Sequence, residues 1–436
     1  MAHPQLFTGP DPDPLSLIAA RPGLRYDSRD GLMLEEVPLA AIAAALGTPC
    51  WVYGAGVLRT RARRLRDALA GLAHPHYAVK ANGHLAILDL LRREGFGADV
   101  VSIGEFHRAR AAGIAADQVV FSGVGKTMPE LTEAIAAGIG QINIESPAEL
   151  EMVAAAAQSV GRTATIAFRI NPDVDAGTHA KITTGRADNK FGIAAGEIPA
   201  LYARAAAAPL LRPVGLALHI GSQITAAAPY RAAFAVAAGL VRDLRAAGQV
   251  VTRMDCGGGL GIAYRDETEG DPAVLAGVLR ESFAGLGLEL MVEPGRWLVG
   301  PAGLLLASVV LCKQGAHRFV VLDAAMNDLL RPALYEAWHG IVPLSPLAAR
   351  AALSPAEIVG PVCESGDTFA HARLLPPLAA GDSVAFLDSG AYGAVMSSTY
   401  NARPLAPVAL VDGSMWHTIQ RRQTIAELYA GEVIPR

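Results

Sequence analysis

From about residue 75 onward, short apolar runs alternate with longer alanine-rich stretches whose apolar positions recur at helical spacing, the pattern of strands and helices in βα succession. Strands are expected at His76–Val79, Gly97–Val101, Gln118–Phe121, Gln141–Ile144, Thr165–Ile170, Val214–Ile220, Val251–Asp255 and Leu288–Val292. Helices are expected between most of them, at His84–Arg93, Phe106–Ala112, Pro129–Ala137, Pro147–Ser159, Pro229–Ala247 and Pro272–Leu286. The alanine runs Ala154–Ala157 and Ala205–Ala208 are helix composition. Eight βα repeats over roughly 220 residues fit a (β/α)8 TIM-type barrel, an α/β fold, better than an open sheet.

The texture changes near Val299–Gly303. Leu304–Cys312, Phe319–Asp323, Glu357–Val362, Ser383–Leu387, Pro407–Val411 and Met415–Ile419 are short and β-rich, with Gly, Pro and Asp turns between them, and Thr424–Ala430 reads as a last helix. The expected organisation has three parts: an N-terminal extension over 1–50 that contributes to the β domain, a barrel over 51–299, and a C-terminal β-sandwich or β-barrel domain over 300–436.

Composition narrows the partners. The chain of 436 residues is 52% hydrophobic, but no apolar run reaches the roughly 18 residues that a membrane span needs. The start, with Pro4, Pro10, Pro12 and Pro14, lacks the basic and apolar regions of an export signal, so the cytoplasm is expected. Cys50, Cys256, Cys312 and Cys363 form no C-x-x-C pair, which argues against a disulfide scaffold or a zinc site. A net charge of −4 offers no basic face to nucleic acid, leaving a small molecule as the expected partner.

The strand ends carry the chemistry. They read Lys80, Asp99, Ser122, Asn143 with Glu145, Arg169, His219, Gly257 to Gly259, and Glu293. In a barrel, polar residues at the carboxyl ends of strands build the active site. Lys80, after Tyr77-Ala78-Val79, is placed to form an imine with an aldehyde, a role for which Lys126, Lys181 and Lys190, in loops, are rivals. Gly257-Gly258-Gly259-Leu260-Gly261 can converge backbone N–H groups on a phosphate, although its spacing is not that of a dinucleotide fingerprint. Gly125-Lys126-Thr127 resembles the end of a P-loop, but Val120 stands where that motif needs glycine. The turn Glu293-Pro294-Gly295-Arg296 offers a carboxylate to a pyridine nitrogen. Amine, glycine turn and acid together point to pyridoxal 5'-phosphate (PLP).

His219 can face a flat ring and Ser222 a phosphate. Each of these residues taken alone has an ordinary alternative: a solvated lysine, a structural histidine, a surface turn. The connection from Asn171 to Phe191 is long enough to read as a lid or binding loop. In the β domain, Cys363 beside Glu364 pairs a thiol with an acid, Tyr392 sits in a glycine-flanked turn, and Arg331 and Tyr335, four apart, share a helix face that can bind a carboxylate. A buried, inert cysteine and an exposed ion pair are the alternatives for Cys363 and Arg331.

Over nearly its whole length the chain resembles the fold-type III PLP-dependent decarboxylases, and within them the branch acting on meso-diaminopimelate. Matching segments include Tyr77 to Asn82, Gly97 to Gly104, Phe121 to Thr127, Arg169 to Gly192, His219 to Thr225, Gly257 to Ile262, Glu293 to Arg296, Asn327 to Tyr335, Gly360 to Asp367 and Gly390 to Asn401. The resemblance implies that Lys80 carries the cofactor, that His219 stacks on its ring, and that Glu293 meets the pyridine nitrogen. It places Asp99 and Arg169 in support, with Ser222, Gly258, Gly259, Pro294, Gly295, Arg296 and Tyr392 around cofactor and phosphate. Arg296, Arg331, Tyr335 and Tyr392 would take the distal carboxylate of the substrate, Glu364 its distal ammonium, and Cys363 would supply a proton from the second subunit of a homodimer. The implied reaction yields L-lysine and CO2. Another basic amino-acid decarboxylase, an amino-acid racemase or a non-catalytic PLP-binding regulator of the same fold are the rival readings. Ser365 departs from the family pattern, which often has Thr there, and roughly the first 35 residues carry no family motif.

Overall fold

The computed structural model describes residues 11–174 and 189–435. Pro4, Pro10, the rival Lys181 and most of the expected lid between Asn171 and Phe191 lie outside the described residues. The chain divides into two compact units. The first comprises Arg61–Ile262 and Thr268–Trp297, and the second includes residues up to Thr60, Ala263–Glu267 and Leu298 onward.

The first unit is the barrel. Its strands are Ala73–Ala78, Gly97–Val100, Val119–Phe121, Gln141–Ile144, Ala164–Asn171, Leu211–Ala217, Arg253–Asp255 and Glu289–Val292. All pair in parallel, and Glu289–Val292 returns to Ala73–Ala78 to close the circle. Closure leaves no edge unpaired. Each expected strand is present within a few residues. The sixth begins earlier than expected, because Pro213, which has no N–H to give, is accommodated where the register shifts between Pro213 and Gly215.

Helix starts follow from local chemistry. Ser102, Ser146 and Asp271 each accept a backbone N–H of the first turn, and Gly138 and Gly161 end their helices in the left-handed conformation. The helices Ala55–Ala68 and Ile198–Ala207 have no counterpart among the expected segments, beyond the alanine run inside the second. The five arginines of Ala55–Ala68 mask its apolar stripe of Val57, Leu58, Ala62 and Leu65.

Barrel strands present successive side chains to opposite faces. Ile142, Ile144, Phe168 and Leu216 are fully buried and lie on faces alternating with those of Gln141, Asn143 and Arg169. Asn143 on the fourth strand bonds Asp255 on the seventh at 2.9 Å, and Gln141 meets Arg253 at 3.2 Å. Strands so far apart in the circle can touch only through the barrel's interior. That interior is therefore polar where barrels usually stack Val, Ile and Leu.

The second unit is β-rich. One sheet runs in the order Thr368–Leu375, Ser354–Val359, Arg318–Leu322, Gly303–Gln314, Cys50–Gly54, Val408–Asp412, Met415–Gln420, with Ser383–Phe386 also paired to Gly303–Gln314 and Ile341–Pro343 paired in turn to Ser383–Phe386. Leu24–Asp27, Gly31–Leu34 and Val37–Pro38 form a small sheet of their own. The expected barrel start at residue 51 differs from this division. Cys50–Gly54 is a central strand of the β unit, antiparallel to Gly303–Leu306 and parallel to Val408–Val411, because its five consecutive buried positions need cover on both faces. Trp51 is fully buried there. Trp51→Ala is expected to destabilise the β unit by about 3–5 kcal/mol, read as a lowered urea midpoint with an unchanged slope.

Candidate active site

Lys80 ends the first barrel strand in a single 3-10 turn, Val79–Ala81, which fixes its backbone while the side chain stays about one-third exposed (31%). Its Nζ lies 3.0 Å from Oδ2 of Asp99, a fully buried carboxylate on the second strand. The other oxygen, Asp99 Oδ1, is buried and has no hydrogen-bond partner among the described residues. Such an orphan acceptor is costly unless the site is completed by a further donor. Glu105, at the start of the following helix, accepts the Val101 N–H at 2.8 Å. Burial first, then the negative charge of Asp99, pushes its carboxyl up to about 7.

Of the rival lysines, the two among the described residues do not sit at a strand end as Lys80 does. Lys126 is buried and donates to Gly123 O (2.7 Å), Asn143 O (2.8 Å) and Glu149 Oε1 (2.7 Å), which uses all three of its donors. Lys190 is exposed beside Phe191.

Three turns meet at the ends of the sixth, seventh and eighth strands. Arg296, buried, donates through Nε and Nη2 to Ser222 Oγ at 3.2 and 3.0 Å. Ile224 N donates to Gly259 O at 2.8 Å, tying the Ser222 turn to the glycine run. A Cβ on Gly258 would lie 2.1 Å from Glu293 O, and one on Gly259, whose φ is +103°, would lie 2.5 Å from Gly221 O. Only glycine fits, and the backbone N–H groups stay unobstructed by side chains. Glu293-Pro294-Gly295-Arg296 is buried throughout rather than a surface turn, and Ala78 N donates to Pro294 O at 3.1 Å, which ties this turn to the lysine strand.

His219 Nδ1 accepts the Gly258 N–H at 3.2 Å, which requires that nitrogen to be unprotonated. Burial, with the positive charges of Lys80 and Arg169, holds the imidazole well below its ordinary range, so the ring is neutral. Arg169 pairs with Glu145 at 2.7 Å, both buried, and its guanidinium lies over Phe191. Glu145 also accepts Gly123 N and Gly192 N at 2.8 and 3.2 Å. Glu293 accepts from Ser122 Oγ at 3.4 Å, and burial with the charges of Asp255 and Asp99 raises its carboxyl well above the usual range. Lys80, Asp99, Arg169, His219, Ser222, Gly258, Gly259, Glu293, Pro294, Gly295 and Arg296 thus all belong to the barrel unit's strand ends.

The remaining expected residues belong to the β unit. Cys363 is exposed, not buried, and its backbone N–H donates to Asn401 Oδ1 at 3.3 Å. Glu364, also exposed, accepts Tyr400 Oη at 2.9 Å. Asp367 organises their turn by accepting Val362 N and Met326 N, each at 2.7 Å. Arg331 is buried rather than an exposed ion pair, with Nη1 2.5 Å from Tyr264 Oη, and it shares the short helix Arg331–Tyr335 with half-buried Tyr335. Tyr392 is half-buried at φ +54°, an unfavourable backbone region for a bulky residue and one that strain at functional sites often occupies.

Asp255, Glu105, Tyr264 and Tyr400 were not among the expected site residues. Asp255 ends its strand two residues before the glycine run, so its position was readable, but its neighbour Glu293 is distant in the chain. Glu105 reads as an ordinary first-turn acid behind the Ser102 cap.

A lysine amine at a strand end, a cluster of glycine and arginine turns, a neutral histidine and a buried acid at one barrel rim fit PLP, the cofactor of a PLP-dependent enzyme of the barrel-plus-β class. Residues 55–300 match the family described as "Pyridoxal-dependent decarboxylase, pyridoxal binding domain". The chain is 47% identical to diaminopimelate decarboxylase of Zymomonas mobilis, over 92% of this chain and 96% of that one, and 46% identical to that of Pseudomonas aeruginosa, over 93% and 98%. Among solved structures, diaminopimelate decarboxylase from Helicobacter pylori complexed with L-lysine is similar at a TM-score of 0.87 with 37% identity, covering 90% of this chain and 98% of that one. The M. jannaschii enzyme in co-complex with L-lysine has a TM-score of 0.89 and 33% identity, covering 95% and 98%. The chain belongs to the diaminopimelate decarboxylase family of PLP-dependent enzymes.

Two outcomes are expected. Lys80→Ala abolishes the imine absorbance of the PLP-loaded protein, whereas Lys126→Met retains it in whatever folded protein is recovered; its cost is a stability loss of about 3–5 kcal/mol from the stranded Glu149. Glu105, whose folded value of about 7 lies above its ordinary 4.5, contributes stability that is present below the ordinary value and lost as pH rises through about 7. Glu105→Gln should therefore flatten the decline in denaturation midpoint between those two values.

Proposed function

We propose that this chain catalyses decarboxylation of meso-2,6-diaminopimelate to L-lysine and CO2, the last step of lysine biosynthesis, with PLP as cofactor. The observation that carries the reading is the Lys80–Asp99 pair at 3.0 Å, on a rim that also holds the glycine cradle and Glu293. Bound PLP supplies an aldehyde for amines and a ring that accepts the electron pair left as CO2 departs.

The chain's own residues do the rest. Asp99 holds the Lys80 ammonium on the second strand, so the amine is positioned before any substrate arrives. His219, neutral and anchored at Nδ1, offers a flat face to the cofactor ring. Ser222, Gly259, Gly295 and Arg296 receive the phosphate through N–H and O–H donors, Gly258, its N–H held by His219, leaves room by lacking a side chain, and Tyr392 adds its phenol. Arg169, fixed by Glu145, and Pro294, fixed by Ala78 N, keep the rim from shifting.

At the far end of the substrate, Arg331, Tyr335, Arg296 and Tyr392 bind the distal carboxylate and Glu364 the distal ammonium. Arg331 is already desolvated, with its Nη1 against Tyr264 Oη. A substrate without a carboxylate forfeits the charge-assisted contact that a desolvated guanidinium offers. Cys363, exposed with its Sγ accessible, delivers the proton to the carbon from which CO2 has left, acting across the interface of a homodimer in which each site is completed by the second subunit. Among the described residues no helix is long and apolar enough to cross a membrane, in keeping with a cytoplasmic enzyme.

The test is CO2 release from meso-diaminopimelate, lysine, ornithine and arginine. Discrimination on the order of 10⁴-fold in kcat/KM for the substrate with the distal carboxylate is expected, and a preference for ornithine, arginine or lysine would overturn the assignment. Arg331→Met should remove most of that discrimination by raising KM for meso-diaminopimelate.

A further inference from the structure

The barrel's interior holds a directional chain of polar groups that the reaction described above does not use. It starts at Arg253 on the seventh strand, which pairs with Glu289 at 3.0 Å and whose Nη1 donates to Gln141 Oε1 at 3.2 Å. An arginine can only donate, so this contact fixes the orientation of the Gln141 amide. Gln141 Nε2 then donates to Asn143 Oδ1 at 2.8 Å, which fixes the second amide in turn. Asn143 Nδ2 consequently faces Asp255 Oδ2, at 2.9 Å, and Ser122 Oγ, at 3.1 Å. The other oxygen of Asp255, Oδ1, accepts the Gly257 N–H at 3.0 Å.

Asp255 thus receives pure donors on both oxygens, the arrangement of a carboxylate anion. The Glu293 carboxyl is its neighbour, reached from the same Asn143 Nδ2 through Ser122 Oγ, and two buried acids so close favour holding one proton between them. Glu293 has no comparable donors: Ser122 Oγ, at 3.4 Å, is its other contact. The asymmetry decides where the proton sits.

We propose that Asp255 is a positioning residue which, held as an anion by Asn143 and the Gly257 N–H, makes Glu293 the member of the pair that carries a proton to the cofactor's ring nitrogen. The inference rests on the reading that Glu293 meets that nitrogen. Groups facing Glu293 agree in sign: burial and the charges of Asp255 and Asp99 push its carboxyl well above the usual carboxylate range, against the opposing charge of Lys80. Burial also raises Asp255, but its contacts with Glu293, Asn143 and Gly257 oppose this. Cys256, between the two acids, is pushed upward by burial and by both of them and stays a thiol.

The consequence is a proton-linked cofactor affinity. In the native chain the proton is already on Glu293 when the ring nitrogen arrives. In Asp255→Asn the like charge is gone, Glu293 ionises at a lower pH than in the native chain, and above that pH binding must take up one more proton than in the native chain. The sign follows from linkage: between about pH 6 and pH 8, wherever the variant's Glu293 is ionised and the native chain's is not, the variant's affinity for PLP falls relative to the native chain's, by up to about tenfold for each pH unit gained.

The experiment titrates the cofactor-free full chain with PLP across that range, following cofactor absorbance, for the native chain, Asp255→Asn and Asn143→Ala. Divergence of the Asp255→Asn profile with rising pH is expected, with a smaller divergence in the same direction for Asn143→Ala, which removes one of the two donors. Profiles that stay parallel, whether or not displaced in affinity, would reduce Asp255 to a structural role and overturn the inference alone. If Asp255→Asn does not fold, a pH-independent ratio for Asn143→Ala overturns it equally. A native chain that fails to bind PLP overturns the cofactor reading and the inference with it.

Discussion

Closing eight parallel strands into a circle forces every strand's carboxyl end onto one rim, and the rest of the barrel's chemistry depends on that constraint. Lys80 and Asp99 are on adjacent strands and would be neighbours in an open sheet as well. Glu293, at the end of the last strand, reaches the first only because the strands Glu289–Val292 and Ala73–Ala78 pair. The Ala78 N–H to Pro294 O bond is the local expression of closure, and it sets the acid turn beside the lysine turn.

A polar interior carries a cost in such a barrel. Gln141, Asn143, Asp99 and Asp255 occupy positions where apolar layers would bury more surface and leave fewer groups to satisfy. The structure offsets this by making nearly every group a partner of another: arginine to glutamine, glutamine to asparagine, asparagine to aspartate. Lys126 follows the same rule, with its three donors committed to its own loop, the fourth strand and the helix that follows that strand. The exception is Asp99 Oδ1, and it lies beside the reactive amine. An unsatisfied buried acceptor next to a lysine is what a site awaiting a further polar group looks like.

The β unit uses a different strategy. Its expected functional residues sit on turns held by single buried acids or by backbone strain rather than by a continuous network. Asp367 gathers Val362 N and Met326 N beneath the Cys363–Gly366 turn, leaving thiol and Glu364 exposed. Tyr392 is held at positive φ, a conformation that a tyrosine adopts only when its surroundings enforce it. Arg331 is buried on a short helix with its Nη1 against Tyr264 Oη, so its guanidinium is held in one place.

Local physics made most of the architecture legible from the chain itself. Alternation of apolar runs and alanine-rich stretches located all eight barrel strands, because backbone pairing and burial impose those periods wherever the strands end up. Lys80, the glycine run and the Glu293 turn were readable for the same reason, each being a residue type out of place at a strand end. The arginine-rich helix Ala55–Ala68 and the true membership of Cys50–Gly54 were not, since a masked apolar stripe and a buried five-residue strand look alike from composition whichever sheet they join. Only the tertiary structure decided that Arg331 is buried, that Lys126 is spent on structure, and that Asn143 joins Asp255 to the Ser122 beside Glu293. Those facts depend on which groups the fold brings into contact, and no spacing along the chain encodes that.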